Sequence, residues 1–348
     1  MQLNINKQIR IAAERKSEFM TQTMEFYRGK PVLVTGGSGF IGSHLVRGLL
    51  ASGAKVRVLE NFSSSDIENL SDVQDQLEII RGDITEPDDC RKAADGVRVI
   101  FHLAARGSVP GSVADPVGYN RVNITGTLNI LDAARAAGVG RVVYSASSSA
   151  YGDTAELPKK ETMMPTPKSP YAVGKYTGEL YAAVYSSVYQ LSTISLRYFN
   201  VFGPRQNPKS HYAAVIPAFI AAGVEGRNPI IYGDGGQTRD FCHVDNVVYA
   251  NMLSGQCPKK LSGEVINIAC GQNISLLELL AKIGQLLGRA IKAEHQPPRA
   301  GDVRDSLADI TRAREVIGYE PKVYFDDGLK QTVDWYRNKL TGAARADS

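Results

Sequence analysis

Pro31-Val-Leu-Val-Thr35-Gly36-Gly37-Ser38-Gly39-Phe40-Ile41-Gly42 is the stretch on which the fold turns. Pro31–Thr35 is a short apolar run and reads as a buried strand. The glycines that follow fall at 36, 39 and 42. Gly36 permits a tight turn, Gly39 lets the backbone approach a pyrophosphate, and Gly42 lets the next helix pack closely on the strand. That helix runs through Leu50. Its N-terminus offers free N–H groups and a positive dipole end to phosphate.

Outward from this stretch the same alternation repeats. Lys55–Glu60, Leu77–Gly82, Val97–Ala104, Arg141–Ala146 and Leu191–Tyr198 read as further strands, with helices at Val122–Ala137 and Tyr171–Tyr189 between later ones. The alternation predicts an α/β fold: a doubly wound parallel (Rossmann) sheet with its ligand site at the carboxyl ends of the strands. Beyond about residue 200 Gly, Pro and Asn become frequent, as in Gly203-Pro204 and Gly233-Asp-Gly-Gly236. Helices persist at Ser275–Leu287 and Thr311–Ile317, and a late strand near Val265–Ile268 is expected to rejoin the main sheet. The expected division is 31–200 as the dinucleotide-binding domain and 201–348 as a smaller, mainly substrate-binding lobe with interleaved segments. Residues 1–30 read as a helical extension, with a partly disordered tail as the alternative.

Glu60 ends the second strand, where a carboxylate accepts hydrogen bonds from ribose hydroxyls and repels a 2′-phosphate. The cofactor expected is therefore NAD, not NADP. Asp83 after the third strand suits an adenine amine, and Leu103-Ala104-Ala105 after the fourth suits close passage beneath a cofactor.

Tyr171-Ala-Val-Gly-Lys175 carries the chemistry. Residues four apart share a helix face. A free phenol, with a pKa of about 10, is a poor base at neutral pH. A nearby ammonium and a cationic nicotinamide favour the phenolate. The fifth strand runs into Ser145-Ala-Ser147-Ser148-Ser149-Ala-Tyr151-Gly152, where a hydroxyl can bridge a substrate hydroxyl and the tyrosine.

With these motifs, the sequence resembles the extended short-chain dehydrogenase/reductase family, and within it the UDP-glucose and UDP-N-acetylglucosamine 4-epimerases. The resemblance runs from Pro31 to about Tyr336 and includes Ala104-Ala105-Arg106-Gly107-Ser108-Val109-Pro110, Leu196-Arg197-Tyr198-Phe199-Asn200-Val201-Phe202-Gly203, Arg239-Asp240-Phe241 and Gly301-Asp302-Val303-Arg304. It implies an isomerase acting at C4 of a UDP-hexose through a 4-keto intermediate, with tightly bound NAD. Ser147, Tyr171 and Lys175 match the catalytic set. Gly36, Gly39, Phe40, Ile41, Glu60, Asn61, Asp83, Ile84, Leu103, Ala104, Ala105 and Tyr198 match cofactor contacts, together with Tyr171 and Lys175. Ser147, Ser148, Ser149, Asn200, Ala214, Val215, Arg239, Arg299, Asp302 and Ser306 match substrate contacts, the arginines and Asp302 forming the clamp on diphosphate and uridine ribose. Two positions depart from the pattern: Arg106, where relatives carry an apolar residue, and Glu60, where most carry Asp.

Ser306 matches the position near the sugar C2 substituent. A small residue there leaves room for an N-acetyl group, so UDP-GlcNAc/UDP-GalNAc is the expected pair, with UDP-Glc/UDP-Gal secondary. Such an enzyme supplies sugars for polysaccharide biosynthesis. Ser148 and Ser149 stand where a 4,6-dehydratase needs a carboxylate pair, and Ser149 where a UDP-glucuronate decarboxylase wants Glu. A UDP-glucuronate 4-epimerase and a non-catalytic NAD sensor of the same fold remain as alternatives, though the sensor typically lacks the Tyr/Lys pair.

The net charge of +4 is dispersed, without the basic stripe that nucleic acid needs. No apolar run reaches the roughly 18 residues of a membrane span. The four cysteines form no CxxC pair and have no His at metal-ligand spacing, so reduced thiols, no metal and a cytoplasmic location are expected. Family members pair as homodimers through a four-helix bundle, which implies the helices around Val122–Ala137 and Tyr171–Tyr189, with Leu128, Leu131, Leu180 and Tyr185 as candidate contacts.

Overall fold

The strand Pro31–Thr35, β1, lies at the centre of a sheet because apolar side chains cover both of its faces: Val32 and Val34 in one core cluster, Leu33 in the other. The structure, a computed structural model, describes residues 23, 25–208, 214–297 and 304–346, with side chains described up to residue 340. The other strands of the main sheet are β2 (Lys55–Glu60), β3 (Glu78–Arg81), β4 (Val99–His102), β5 (Arg141–Ser147), β6 (Thr193–Tyr198) and β7 (Ser262–Ile268). All pair in parallel in the order β7-β6-β5-β4-β1-β2-β3. This is the doubly wound arrangement expected, with the order reversing between β1 and β4, where the loops diverge and leave a crevice.

The helices used below are α1 (Phe40–Ala51), α2 (Thr127–Ala136), α3 (Pro170–Tyr189), α4 (Val215–Val224), α5 (Val244–Gln256), α6 (Leu276–Leu287) and α7 (Phe325–Ala346). The α1 and α5 helices pack together, as do α2 and α3. Beyond the sheet, a third core joins Phe219 and Ile220 of α4, Leu279 and Ile283 of α6, and Phe325, Leu329, Val333 and Tyr336 of α7. The last four recur at helical spacing, one buried stripe on an otherwise polar helix.

Several boundaries differ from expectation for local reasons. The fourth strand stops at His102: the Leu103 amide is shared between the Thr35 carbonyl and hydroxyl, both at 3.2 Å, and the Ala104 amide turns to that hydroxyl at 3.1 Å. The helix expected over Val122–Ala137 begins as a π-helical turn, Arg121–Gly126, before α2. Of the expected N-terminal extension, residues 1–22 and 24 lie outside the described residues. At its end, Tyr27 is fully buried and donates to the Met252 carbonyl at 2.8 Å. Leu131 and Tyr185, candidate dimer contacts, are buried against the sheet at 1% and 7% exposure, whereas Leu180 is 50% exposed.

Candidate functional site

The β1–α1 turn is shaped by close approach. Gly36 has φ +70°, and a Cβ there would lie 2.8 Å from the Ala104 backbone; one on Gly42 would lie 2.1 Å from the Gly36 carbonyl. The α1 helix starts after Gly39 with no side-chain cap and no acidic residue in its first turn, so its first amides remain for an anion. Glu60 is buried, and its contacts were not foreseen. Its Oε2 accepts from the Ser38 amide (3.2 Å) and hydroxyl (2.8 Å), its Oε1 from the amides of Asn61 (3.1 Å) and Phe62 (3.3 Å). The carboxylate thus braces the glycine turn as well as ending β2. Asn61 donates to Asp83 at 2.8 Å. Burial would raise the Asp83 pKa, but hydrogen bonds from Thr85 and Asn61 outweigh it and hold it below the ordinary carboxylate range. Ile84 is buried, its side chain packed under Gly126.

A hydrogen-bond chain fixes the loop after β4. Thr35 Oγ accepts the two amides named above, so it donates to His102 Nδ1, at 2.7 Å. His102 Nε2 then donates to Thr127 Oγ (3.0 Å), which donates to the Asn123 carbonyl (2.7 Å); this tautomer is inferred from the network. Burial pulls the His102 pKa down to about 3, so the chain stays neutral at physiological pH. In the π-helical turn, the buried Asn123 side chain clamps the Arg106 backbone, accepting from its amide (2.8 Å) and donating to its carbonyl (3.0 Å). π-Helical turns often mark functional sites. The Arg106 side chain pairs with Asp115 and stacks on Tyr119, 4.3 Å from the ring centre.

Ser147 ends β5, and its Oγ accepts from the Ser149 amide (3.2 Å) and hydroxyl (2.9 Å). The α3 helix starts with Ser169 as cap, accepting from the Ala172 amide at 3.2 Å, and with Pro170 in its first turn. This start puts Tyr171 beside Ser147 and Lys175 one turn on. Burial raises the Tyr171 pKa above the ordinary phenol value, and the Ser147 hydroxyl partly offsets this. The ammonium expected to activate the phenol is aimed elsewhere: Lys175 Nζ donates to the Ser145 carbonyl at 2.7 Å. Burial pulls the Lys175 pKa down to about 8, against the carboxylate of Glu179, which raises it. Glu179 in turn forms a two-pronged ion pair with Arg197 (2.9 and 2.7 Å), both side chains no more than 3% exposed. Tyr198 exchanges hydrogen bonds with Asn251 behind the site.

The far wall comes from the second half of the chain. Asn200 sits just past β6 with φ +27°, in the left-handed region that Asn tolerates better than most residues. Its amide donates to the Asp240 carbonyl (3.2 Å) and to Ser306 Oγ (3.4 Å). Asp240 is fully buried and gathers this wall by accepting from the amides of Cys270 (3.0 Å), Gly271 (3.1 Å) and Ala308 (3.1 Å). Burial pushes its pKa up to about 6 despite these amides. Arg239 donates to the carbonyls of Thr238 (2.8 Å) and Arg304 (2.9 Å).

One cleft of about 1570 Å³ collects these groups. Gly36, Gly39, Phe40, Ile41, Leu103 and Ala105 line one end; Ser147, Ser148, Ser149, Tyr171, Lys175 and Tyr198 the middle; Asn200, Ala214, Arg239 and Ser306 the other end. Glu60, Asn61, Asp83, Ile84, Ala104, Val215 and Arg106 do not line it. Arg299 and Asp302 lie outside the described residues. Among the described residues no group of side chains could hold a metal, and no helix is long and apolar enough to cross a membrane. Sequence reading missed Ser38, Thr35, His102 and Asn123, because each acts through a partner far away in the chain.

A doubly wound sheet with an uncapped glycine turn and a Tyr–Ser–Lys set lining the same cleft defines a dinucleotide-dependent enzyme. Residues 32–269 match the model of the NAD dependent epimerase/dehydratase family, and the chain belongs to that family. It is 42% identical to a UDP-glucose 4-epimerase of Mycolicibacterium smegmatis, over 88% of this chain and 98% of the relative. Among solved structures it resembles a UDP-N-acetylglucosamine 4-epimerase from Methanobrevibacter ruminantium in complex with UDP-N-acetylmuramic acid (41% identity, TM-score 0.85, 90% of this chain and 99% of that one). It also resembles a UDP-glucose 4-epimerase from Thermotoga maritima with UDP-glucose (37% identity, TM-score 0.84, 89% and 99%). The uncapped α1 terminus and the glycines that admit close backbone approach fit NAD, the cofactor of the family.

Proposed function

We propose that this chain is an isomerase that inverts C4 of a UDP-hexose, with UDP-GlcNAc/UDP-GalNAc as its preferred pair and UDP-Glc/UDP-Gal as secondary substrates. The observation that carries this reading is the single cleft joining the glycine turn, Ser147, Tyr171 and Lys175 to Asn200, Arg239 and Ser306. Similarity to 4-epimerases of UDP-glucose and UDP-N-acetylglucosamine supports the C4 position and the nucleotide. Residues 31–200 hold the cofactor in this reading, and 201–348 mainly hold the sugar nucleotide. The glycine turn and the open α1 terminus would hold NAD, whose chemistry would be hydride exchange with the sugar carbon and whose oxidised ring would supply positive charge that favours a phenolate.

The rest is done by side chains. Tyr171 takes the proton of the 4-hydroxyl at its phenolic oxygen and later gives it back, with the Ser147 hydroxyl donating one hydrogen bond to the reacting pair. Ser147 is free to donate because the two bonds it makes to Ser149 are accepted ones. Lys175 holds the nicotinamide ribose. Arg239, with Arg299 and Asp302, clamps the diphosphate and uridine ribose while the sugar turns, a task suited to a guanidinium fork.

The small Ser306, beside Asn200, supports room for an N-acetyl group. Ser306→Tyr is expected to lower kcat/KM on UDP-GlcNAc by about 10-fold or more, the scale of lost pocket complementarity, and to spare UDP-Glc. Parallel initial rates on the two sugars check this, and equal losses on both would contradict it. A homodimer through α3 is part of the reading, supported by exposed Val173, Leu180, Val184 and Val188 along that helix. Sedimentation at the mass of one chain would contradict it.

A further inference from the structure

Arg205 is a cation of the cleft to which none of the roles above applies. It makes no hydrogen bond or ion pair among the described residues, although it is partly buried and lines the cleft. Burial and the neighbouring Arg47 guanidinium both disfavour its charge. Arg47 is already committed to Asp72 and to the carbonyls of Ser43 and Asn69. The Asp72 carboxylate, already paired with Arg47, favours the Arg205 charge without forming an ion pair with it, so the guanidinium fork keeps its donors for an anion in the cleft.

The backbone around it is pinned on both sides. The His44 ring, on α1, donates from Nε2 to the Pro204 carbonyl at 2.9 Å. Burial pulls the His44 pKa down to about 4, so this donor stays neutral at physiological pH. The Tyr336 hydroxyl, on α7, donates to the Gln206 carbonyl. Between these anchors Arg205 has φ +66°, a left-handed conformation that a residue with a Cβ keeps only when its surroundings over-determine it. His44, like Arg47, lies on the helix that follows the glycine turn, whereas Tyr336 belongs to the third core. Arg205 also lines a side pocket of about 480 Å³ with Arg47, Asn69, Trp335 and Lys339. Ser147, Arg239 and Ser306 do not border that pocket.

We propose that Arg205 is a latch on the cofactor: it binds the diphosphate of the bound dinucleotide and slows its release. The ligand chemistry is a diphosphate diester, which the planar fork of arginine matches better than lysine does. The sugar nucleotide carries a diphosphate too, but His44 and Arg47, which hold and neighbour this loop, lie on the helix whose N-terminus opens at the glycine turn. The inference rests on the NAD assignment and is independent of which sugar is used.

The test compares wild type with Arg205→Gln and Arg205→Lys. NAD released from the purified proteins on denaturation is quantified, NAD affinity is measured by titration of the stripped proteins, and KM for UDP-GlcNAc is taken at saturating NAD. Arg205→Gln is expected to bind NAD about 10- to 100-fold more weakly, the scale of hydrogen bonds to a charged group, with KM for the sugar nucleotide held. Arg205→Lys is expected to fall between the two, which also shows that the loop tolerates substitution. Wild-type NAD affinity with a raised sugar-nucleotide KM would overturn the proposal in favour of the other diphosphate. Wild-type values of both would overturn it outright. Because NAD content is read without turnover, a wild-type protein inactive on both sugars whose Arg205→Gln variant still binds NAD more weakly would contradict the epimerase reading and leave the latch standing.

Discussion

Replacing Tyr171 with Phe is expected to lower epimer formation by about 100- to 10,000-fold, the usual contribution of a positioned acid–base group, while bound NAD stays at the wild-type level. The change removes one oxygen, whose partner in the protein is the Ser147 hydroxyl, itself held by Ser149. The ring and the helix that carries it are retained, so the loss falls on proton transfer and not on folding. Initial rates at saturating sugar nucleotide, with NAD content measured on the same sample, check this. A Tyr171→Phe protein turning over at the wild-type rate would remove the acid–base role from this residue.

The second large effect is expected about two turns along the same helix. Glu179→Gln leaves the Arg197 guanidinium, only 3% exposed, without its counter-charge. Breaking a buried pair in this way costs about 3–5 kcal/mol, readable as a lower urea midpoint. The substitution also removes the carboxylate that holds the Lys175 pKa up, so that pKa falls further below its value of about 8. If the ammonium is needed for turnover, the alkaline limb of kcat/KM moves to lower pH. The sign for stability follows from linkage. The folded-state pKa of Lys175 lies below its ordinary 10.5. Between these values the unfolded chain binds more protons, so this lysine's contribution to stability grows as pH rises through that window. An unchanged alkaline limb in a folded Glu179→Gln protein would show that Lys175 acts without its charge.

Both effects involve groups whose roles differ in how far sequence displays them. The glycine turn and the Tyr171/Lys175 pair are local patterns, three or four residues apart, so their geometry can be read directly. Glu60 was legible as the end of a strand, but its grip on Ser38 depends on how the turn folds back over β2. Asn123 gave no signal: an Asn in a helical stretch says nothing of the Arg106 backbone that it clamps. Lys175 was expected to face the phenol, yet the neighbouring β5 presents the Ser145 carbonyl to it instead. The stripe Phe325, Leu329, Val333, Tyr336 is visible in the sequence at helical spacing and was still passed over, because its polar flanks mask it. Which face of α3 is core and which is open also escapes a single sequence. Tyr185 and Leu180 look alike there, and only the sheet behind Tyr185 separates them.

The central claim is inversion at C4 of a UDP-hexose by an enzyme that keeps its own cofactor. Its most direct test is to incubate the purified protein with UDP-GlcNAc, and separately with UDP-Glc, adding no NAD, and to separate the epimers by chromatography. The account predicts conversion of UDP-GlcNAc to UDP-GalNAc, faster than conversion of UDP-Glc to UDP-Gal. No conversion of either sugar, even with NAD supplied, would contradict it.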